Sequence, residues 1–210
     1  SSNHSTTRSG ARHYFTLAQT EYQSLKSTAR KERSTLFTFL AAAYSAFISR
    51  YFNEEDIVFT YPVNIRPTEH SNLSGFFISN IPLRIKIPAS SSFSDVVRLA
   101  TERRKMDRDY ESCAINEMLK YMRKNNTNVP KQPFNIGFGQ TSLSIQYLKL
   151  DGISLTPLQC DIKEAHFDLA LQYDGTTDVL EFYWEYKTEI FDADKIGNIT
   201  DSFLTFLKSA

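Results

Sequence analysis

Cysteine and histidine are scarce in this chain, and their spacing excludes more than their number. Only Cys113 and Cys160 occur in 210 residues, beside His4, His13, His70 and His166, and none of them falls at a metal-ligand spacing. A metal site is therefore not expected, and two free thiols suit a reducing, cytoplasmic setting. Net charge is missing too. With 24 basic and 24 acidic residues, the chain has no electrostatic footprint for nucleic acid or an anionic membrane. No apolar run is long enough for a bilayer, which needs roughly 20 residues. The longest, Leu36 to Ile48, is interrupted by Thr38 and Ser45 and reads as a buried helix. The N-terminus is polar and serine-rich, without an initiating Met or an apolar leader, as expected of an excised or processed piece.

What the chain does have is rings. Its 16 Phe and 11 Tyr point to an aromatic core, or to an aromatic surface that belongs to an interface or pocket. At this length one large domain is expected rather than two small ones.

Residues Ser1 to Gly10 have linker composition. Arg12 to Leu17 alternates as a short strand. Thr20 to Arg33 is helical, with Tyr22, Leu25 and Ala29 on one face. After Ser34 or Thr35 as N-cap, Leu36 to Phe52 is apolar nearly all round, a central helix that Asn53 to Asp56 breaks. Ile57 to Tyr61 reads as a strand buried on both faces. Ser74 to Ile87 is the most telling stretch. Read with period two, Phe77, Ser79, Ile81, Leu83, Ile85 and Ile87 form a core side, and Phe76, Ile78, Asn80, Pro82, Arg84 and Lys86 the other. The second side mixes large apolar groups with an amide and a guanidinium, the composition of a surface that meets something. Gly75 marks a turn or close approach, and Pro82 an edge strand, a bulge or a parting from the neighbouring strand.

Ser92 to Asp95 is a capping-box pattern opening a helix to about Tyr110, with Arg103, Arg104 and Lys105 read as solvated cations near its C-terminal dipole rather than as a phosphate site. A shorter helix follows over Asn116 to Lys124, and Phe134 to Tyr147 is strand-like. Asp151-Gly152 makes a turn. His166 to Tyr173 and Val179 to Lys187 form a hairpin in which Phe167, Leu169, Leu171 and Tyr173 face Leu180, Phe182, Trp184 and Tyr186. Asp192 caps a last helix with a stripe of Ile196, Ile199, Phe203 and Phe206. Helices alternating with strands, plus the late hairpin, give an α/β class: a two-layer mixed β-sheet with helices packed on it.

The order Ala11-Arg-His-Tyr-Phe-Thr-Leu17, Thr35 to Tyr44, Glu55-Asp-Ile-Val58, Pro62-Val-Asn-Ile-Arg-Pro67, Gly75-Phe-Phe-Ile-Ser-Asn-Ile-Pro-Leu-Arg84, His166-Phe-Asp-Leu169 and Phe191-Asp192 resembles the C-terminal half of a nonribosomal peptide synthetase condensation domain. The resemblance covers residues 11–210 and is most specific at Gly75 to Arg84, similar to the family's G-x-F-V-N-T-x-P-L-R. Ser79 and Asn80 stand where the family has Asn and Thr. Two later motifs depart: Tyr-Glu-Ser-Cys-Ala-Ile-Asn over 110–116 stands in place of HQD-x-PFE, and the next is reduced to Pro133-Phe134.

The resemblance implies one lobe of a chloramphenicol-acetyltransferase-like fold, in an acyltransferase that joins carrier-bound acyl or aminoacyl groups by amide or ester formation. Its partners would be the N-terminal lobe and peptidyl or acyl carrier proteins, whose phosphopantetheine arms are substrates, with no cofactor bound directly. The family's HHxxxDG motif, with its catalytic histidine, belongs to the N-terminal lobe, and no two histidines here are adjacent. No catalytic residue is therefore assigned and no activity of the chain alone is expected, whereas self-association through an exposed lobe face is. Two alternatives stay open, a noncatalytic docking or scaffold module of the same fold and a related CoA-dependent acyltransferase. The residues expected at the lobe interface or tunnel are Gly75, Phe76, Asn80, Arg84, Gln140, Ser142 and Asp168. Arg84 would pair with the aspartate of HHxxxDG, or else be a surface arginine. Asn80 and Gln140 would line the tunnel or lie on plain strand surface, and Asp168 would pair with the other lobe or be a hairpin carboxylate. His166 reads as structural, and Ser142 has no nucleophile-elbow context.

Overall fold

The computed structural model describes residues 9–111, 113, 115–125, 128–129, 133–141, 151–153 and 162–209. The chain divides into two compact units, Ser1–Leu25 with Gly139–Lys208, and Lys26–Phe138 with Ser209–Ala210.

The first unit is built on three antiparallel strands, β1 (Gly10–Leu17), β5 (Leu169–Asp174) and β6 (Leu180–Lys187), in the order β1-β6-β5. β1 takes in Gly10, from the stretch expected as linker. The hairpin register is the one the alternation predicts: Leu169 stands opposite Tyr186, Leu171 opposite Trp184 and Tyr173 opposite Phe182. β5 starts at Leu169, three residues later than expected, which leaves His166, Phe167 and Asp168 as a bend before it. Helix α5 (Ala193–Ser209) starts where the Asp192 carboxylate accepts the Lys195 backbone N–H at 2.7 Å. Its stripe buries Ile196, Ile199, Phe203 and Leu207. Leu207 takes the last buried place and the expected Phe206 stays half-exposed. Phe203 sets its ring edge-on to Phe182 at 6.0 Å and to Trp184 at 5.5 Å, while Phe15 stacks on Phe182 at 5.1 Å. An aromatic core is one of the two arrangements that the 16 Phe and 11 Tyr left open.

Helix α1 (Gln19–Lys31) buries Tyr22, Leu25 and Ala29 as its spacing predicts. It stops two residues short of the expected Arg33, whose φ of 53° is left-handed.

The second unit centres on α2 (Leu36–Phe52), whose residues Thr38 through Ile48 are all buried. The Thr35 hydroxyl accepts the Thr38 N–H at 3.1 Å, and Asn53, at φ 56°, ends the helix in the left-handed conformation that asparagine tolerates. β2 (Asp56–Asn64) and β3 (Ile78–Lys86) pair antiparallel, and β4 (Ile136–Gln140) runs parallel to β2 with Thr60 opposite Gly137. The order β4-β2-β3 makes this a mixed sheet with β3 at its edge, which accounts for Pro82. Helix α3 (Phe93–Asp107) has the reciprocal capping box of Ser92 and Asp95, then tightens into a 3-10 turn over Arg108–Tyr110. Phe93 meets Phe39 of α2 edge-on at 5.2 Å. Helix α4 (Ile115–Asn125) completes the unit and has no fully buried residue. Gly152 turns at φ 74°, as the Asp151-Gly152 pair predicts. Among the described residues no helix is long and apolar enough to cross a membrane.

Candidate functional site

The two faces of β3 divide as the period-two reading requires. Ile81, Leu83, Ile85 and Ile87 are buried, and Ile78, Asn80, Arg84 and Lys86 are exposed. Phe76 is 87% exposed, Leu73 55% and Ile78 51%, so large apolar groups stand in solvent beside the start of this strand. The loop before the strand is anchored by Arg66, a residue that the sequence marked only as part of a loop motif. Its guanidinium lies 4.1 Å from the centroid of the Phe77 ring, and the same group donates to the carbonyls of His70 and Leu73. Ile65 N–H adds a bond to the Phe77 carbonyl at 2.9 Å. The loop between β2 and β3 is thus tied back to the strand. Gly75 sits against that ring: a Cβ there would lie 2.8 Å from Phe77, which is the close approach foreseen for it.

Arg84 finds a carboxylate within its own unit. Its Nε donates to Asp56 Oδ1 at 2.8 Å and Nη2 to Oδ2 at 2.5 Å, a fork-to-fork pair between neighbouring strands. The guanidinium holds the Asp56 carboxyl below the ordinary carboxylate range, and the carboxylate raises Arg84 in turn. Both groups remain substantially exposed. Asn80 stands opposite Pro62 of β2 with its side chain exposed.

One expected solvated cation is half-buried instead. Arg104 lies 4.5 Å from the centroid of the Phe37 ring and 5.3 Å from that of Tyr61, and donates to Thr38 Oγ1 at 2.8 Å. Helical spacing placed it beside Arg103 and Lys105, but packing carries it inward because a guanidinium stacks on aromatic faces. Arg103 pairs instead with Asp107 at 3.2 Å. Burial raises the Asp107 carboxyl above its ordinary range, and its second oxygen is buried with no hydrogen-bond partner. These groups border a cavity of about 330 Å³ lined by Ile81, Pro82, Met106, Tyr110, Ile115 and Met118 among others.

The remaining expected residues belong to the other unit. Gln140 ends β4 and accepts the Tyr173 hydroxyl at 3.1 Å, while Thr141 N–H bonds the Tyr173 carbonyl at 2.8 Å. Ser142 lies outside the described residues. Asp168 pairs with Lys187 at 2.7 Å across the hairpin. The structure therefore gathers Gly75, Phe76, Asn80 and Arg84 along one strand and its approach, and gives Gln140 and Asp168 partners in the first unit. Among the described residues no group of His, Cys, Asp or Glu is placed to hold a metal ion. The β3 face displays Ile78, Asn80, Arg84 and Lys86 to solvent on a strand whose other side is core.

Comparison with known proteins matches the chain nearly end to end. A family model described as "Condensation domain" matches residues 1–210. Surfactin synthase subunit 1 of Bacillus subtilis (strain 168) is 28% identical over 188 residues, 89% of this chain but 5% of that protein. Tyrocidine synthase 3 of Brevibacillus parabrevis is 25% identical over 191 residues, 88% of this chain and 3% of its own length. Among solved structures, a four-domain nonribosomal peptide synthetase bound to AMP and glycine matches with a TM-score of 0.82 at 18% identity, covering 96% of this chain and 17% of that one. The first condensation domain of the calcium-dependent antibiotic synthetase, in complex with a substrate analogue, matches with a TM-score of 0.76 at 15% identity, covering 96% and 44%. The X-domain from teicoplanin biosynthesis gives 0.81 at 16% identity, covering 96% and 47%. At these identities the structures speak to the fold, a mixed α/β sheet with helices. The chain spans a small fraction of the synthetases and less than half of the single-domain structures it matches.

Proposed function

The chain belongs to the condensation-domain family, and from that premise we propose that it is the C-terminal lobe of such a domain, half of a chloramphenicol-acetyltransferase-like acyltransferase. In this reading the whole domain joins acyl or aminoacyl groups carried on the phosphopantetheine arms of carrier proteins, by amide or ester formation. The observation that carries it is the β3 face. Phe76, Ile78, Asn80 and Arg84 are displayed to solvent on a strand whose other side is core, and a surface of that composition suits burial against an N-terminal lobe. Its span of 44% and 47% of the two single-domain structures agrees with a half. The catalytic histidine of the HHxxxDG motif would come from the other lobe. Gln140 and Asp168, with Ser142, would join Gly75, Phe76, Asn80 and Arg84 in facing it. Arg84 would arrive already paired with Asp56, so contact with a carboxylate across the cleft would exchange or share that partner.

The reading is tested by supplying loaded donor and acceptor carrier proteins to the purified 210-residue chain, alone and with a separately expressed N-terminal lobe bearing HHxxxDG. Product is expected only from the combination, and amide or ester formation by the chain alone would overturn the assignment. Alone, the chain should self-associate through the exposed β3 face, and Phe76→Ser should shift it toward monomer in sedimentation velocity.

A second reading, a docking module without chemistry, draws support from the likeness to the X-domain from teicoplanin biosynthesis, of which a complex with OxyB is among the solved structures. It predicts an N-terminal lobe whose histidine motif is damaged, and a combination that binds carriers but forms no product.

A further inference from the structure

We propose that Asp151-Gly152 is a modification site at which the folded chain spontaneously acquires an isoaspartyl linkage, whereas the same dipeptide at Asp174-Gly175 is protected by its surroundings. Asp-Gly occurs in the sequence at these two places. A glycine after aspartate has no side chain to hinder its amide nitrogen, so the ring that begins the reaction closes more readily there than at other pairs. In that step the Gly152 nitrogen attacks Cγ of Asp151. A C–N bond forms, and one carboxyl oxygen leaves with two protons as water. Water then opens the resulting succinimide at either carbonyl. Attack at Cγ restores aspartate, and attack at the main-chain carbonyl leaves the peptide running through Cγ. The product has the mass of the starting chain, with one more methylene in its backbone and a displaced carboxylate.

The two sites differ in what holds them. Asp151 and Gly152 are both exposed, as is Ile153 after them. Gly152 has φ 74°, and a Cβ built on it would meet nothing within 4 Å, so the peptide has room to turn toward the carboxyl. Asp174, by contrast, is 6% exposed. Its Oδ1 accepts the Thr176 backbone N–H at 2.9 Å and the Thr176 hydroxyl at 2.7 Å. Asp174 stands in β5 opposite Glu181, and the Gly175 carbonyl accepts the Tyr22 hydroxyl at 3.0 Å. Ring closure at Asp174 turns the carboxyl and the following peptide together and breaks these bonds, so it waits for local opening. At Asp151 the exposed turn imposes no such wait. Both sites and their partners lie in the first unit, and the inference holds whichever reading of the whole domain is correct.

The intact 210-residue chain, folded in neutral buffer or unfolded in urea, is aged and sampled over weeks, and isoaspartate at each dipeptide is read by peptide mapping. Methyl transfer from S-adenosylmethionine by an isoaspartyl carboxyl methyltransferase gives a second readout. In the folded chain Asp151 should isomerise at least about tenfold faster than Asp174, as two side-chain hydrogen bonds to be broken imply, and the two rates should converge in urea. Tyr22→Phe and Thr176→Val each release one tie, and each should raise the folded rate at Asp174 several-fold while leaving Asp151 unchanged. Asp151→Glu, whose imide would be a six-membered ring, should leave that peptide unmodified. Equal rates in the folded chain, a gap that persists in urea, or a folded rate at Asp151 as suppressed as that at Asp174 would each overturn the proposal. If Tyr22→Phe or Thr176→Val fails to fold, the comparison of folded and urea-unfolded rates in the unaltered chain decides it.

Discussion

Phe138 closes a cluster of four rings in the second unit, and its removal should be felt at the scale of that unit's stability. The side chain is 1% exposed and lies 5.2 Å from Phe37, 5.6 Å from Tyr44 and 5.8 Å from Phe59, centroid to centroid. Truncation to alanine loses the buried ring and leaves a cavity, at a cost of about 3–5 kcal/mol. Phe138→Leu keeps most of the apolar bulk and removes the ring geometry. Three ring pairs at roughly 0.5–1.5 kcal/mol each put its cost at about 2 kcal/mol once leucine's own contacts are allowed for. Urea unfolding measures both. Far-UV circular dichroism follows the whole chain, whereas the single tryptophan, Trp184, belongs to the first unit, so diverging transitions would localise the loss. A loss below about 2 kcal/mol for Phe138→Ala with an unchanged slope, or equal losses for the two variants, would refute the ring-packing argument.

Two glycines of the first unit should respond differently to alanine. At Gly10 the new Cβ would meet the Ala165 backbone nitrogen at 2.5 Å, and backbone must move, for roughly 1–3 kcal/mol by chemical denaturation. At Gly139 the clash is with the Gln172 side-chain tip at 2.3 Å, which can swing away, so Gly139→Ala should cost clearly less than Gly10→Ala. Arg104→Lys keeps the charge but loses the planar fork over Phe37 and Tyr61, and thermal melts should show it no better than Arg104→Met; full rescue by lysine would sink the stacking argument. Asp95 titrates below the ordinary aspartate value of 3.8, chiefly through the Ser92 hydroxyl. Its depressed folded value gives stability that is present above the unfolded pKa and lost as pH falls through the folded one. Asp95→Asn should therefore flatten the acid limb of the stability–pH curve below about pH 4, and an unaltered limb would argue against the capping box as its source.

The elements were legible because they rest on local period. Leu36 to Phe52 was bounded at both ends by an apolar pattern, a threonine cap and an asparagine that accepts positive φ. The capping box at Ser92 and the hairpin register from Leu169 to Tyr186 followed from spacing of the same kind. Boundaries slipped where tertiary pairing decides them: β2 runs on through Pro62 to Asn64 because β3 pairs with it along its full length. The site was half legible. Alternation showed which side of β3 faces out, and the motif from Gly75 to Arg84 distinguished it from the other strands. Arg66 was missed as an organiser because nothing in its neighbours signals a ring eleven positions away, at Phe77, or carbonyls at His70 and Leu73.

By itself the sequence determined the class, the helices and strands, the absence of paired histidines and the outward face of the Gly75 to Arg84 stretch, since each depends on residue type and on a repeat of two or 3.6. Only the tertiary structure decided partners. It joined Arg84 to Asp56, twenty-eight positions away, drew Arg104 between Phe37 and Tyr61, and left a hollow beside Asp107. Periodicity reports which way a side chain points, whereas what it meets depends on how distant segments are brought together, and that is set by packing of the whole unit.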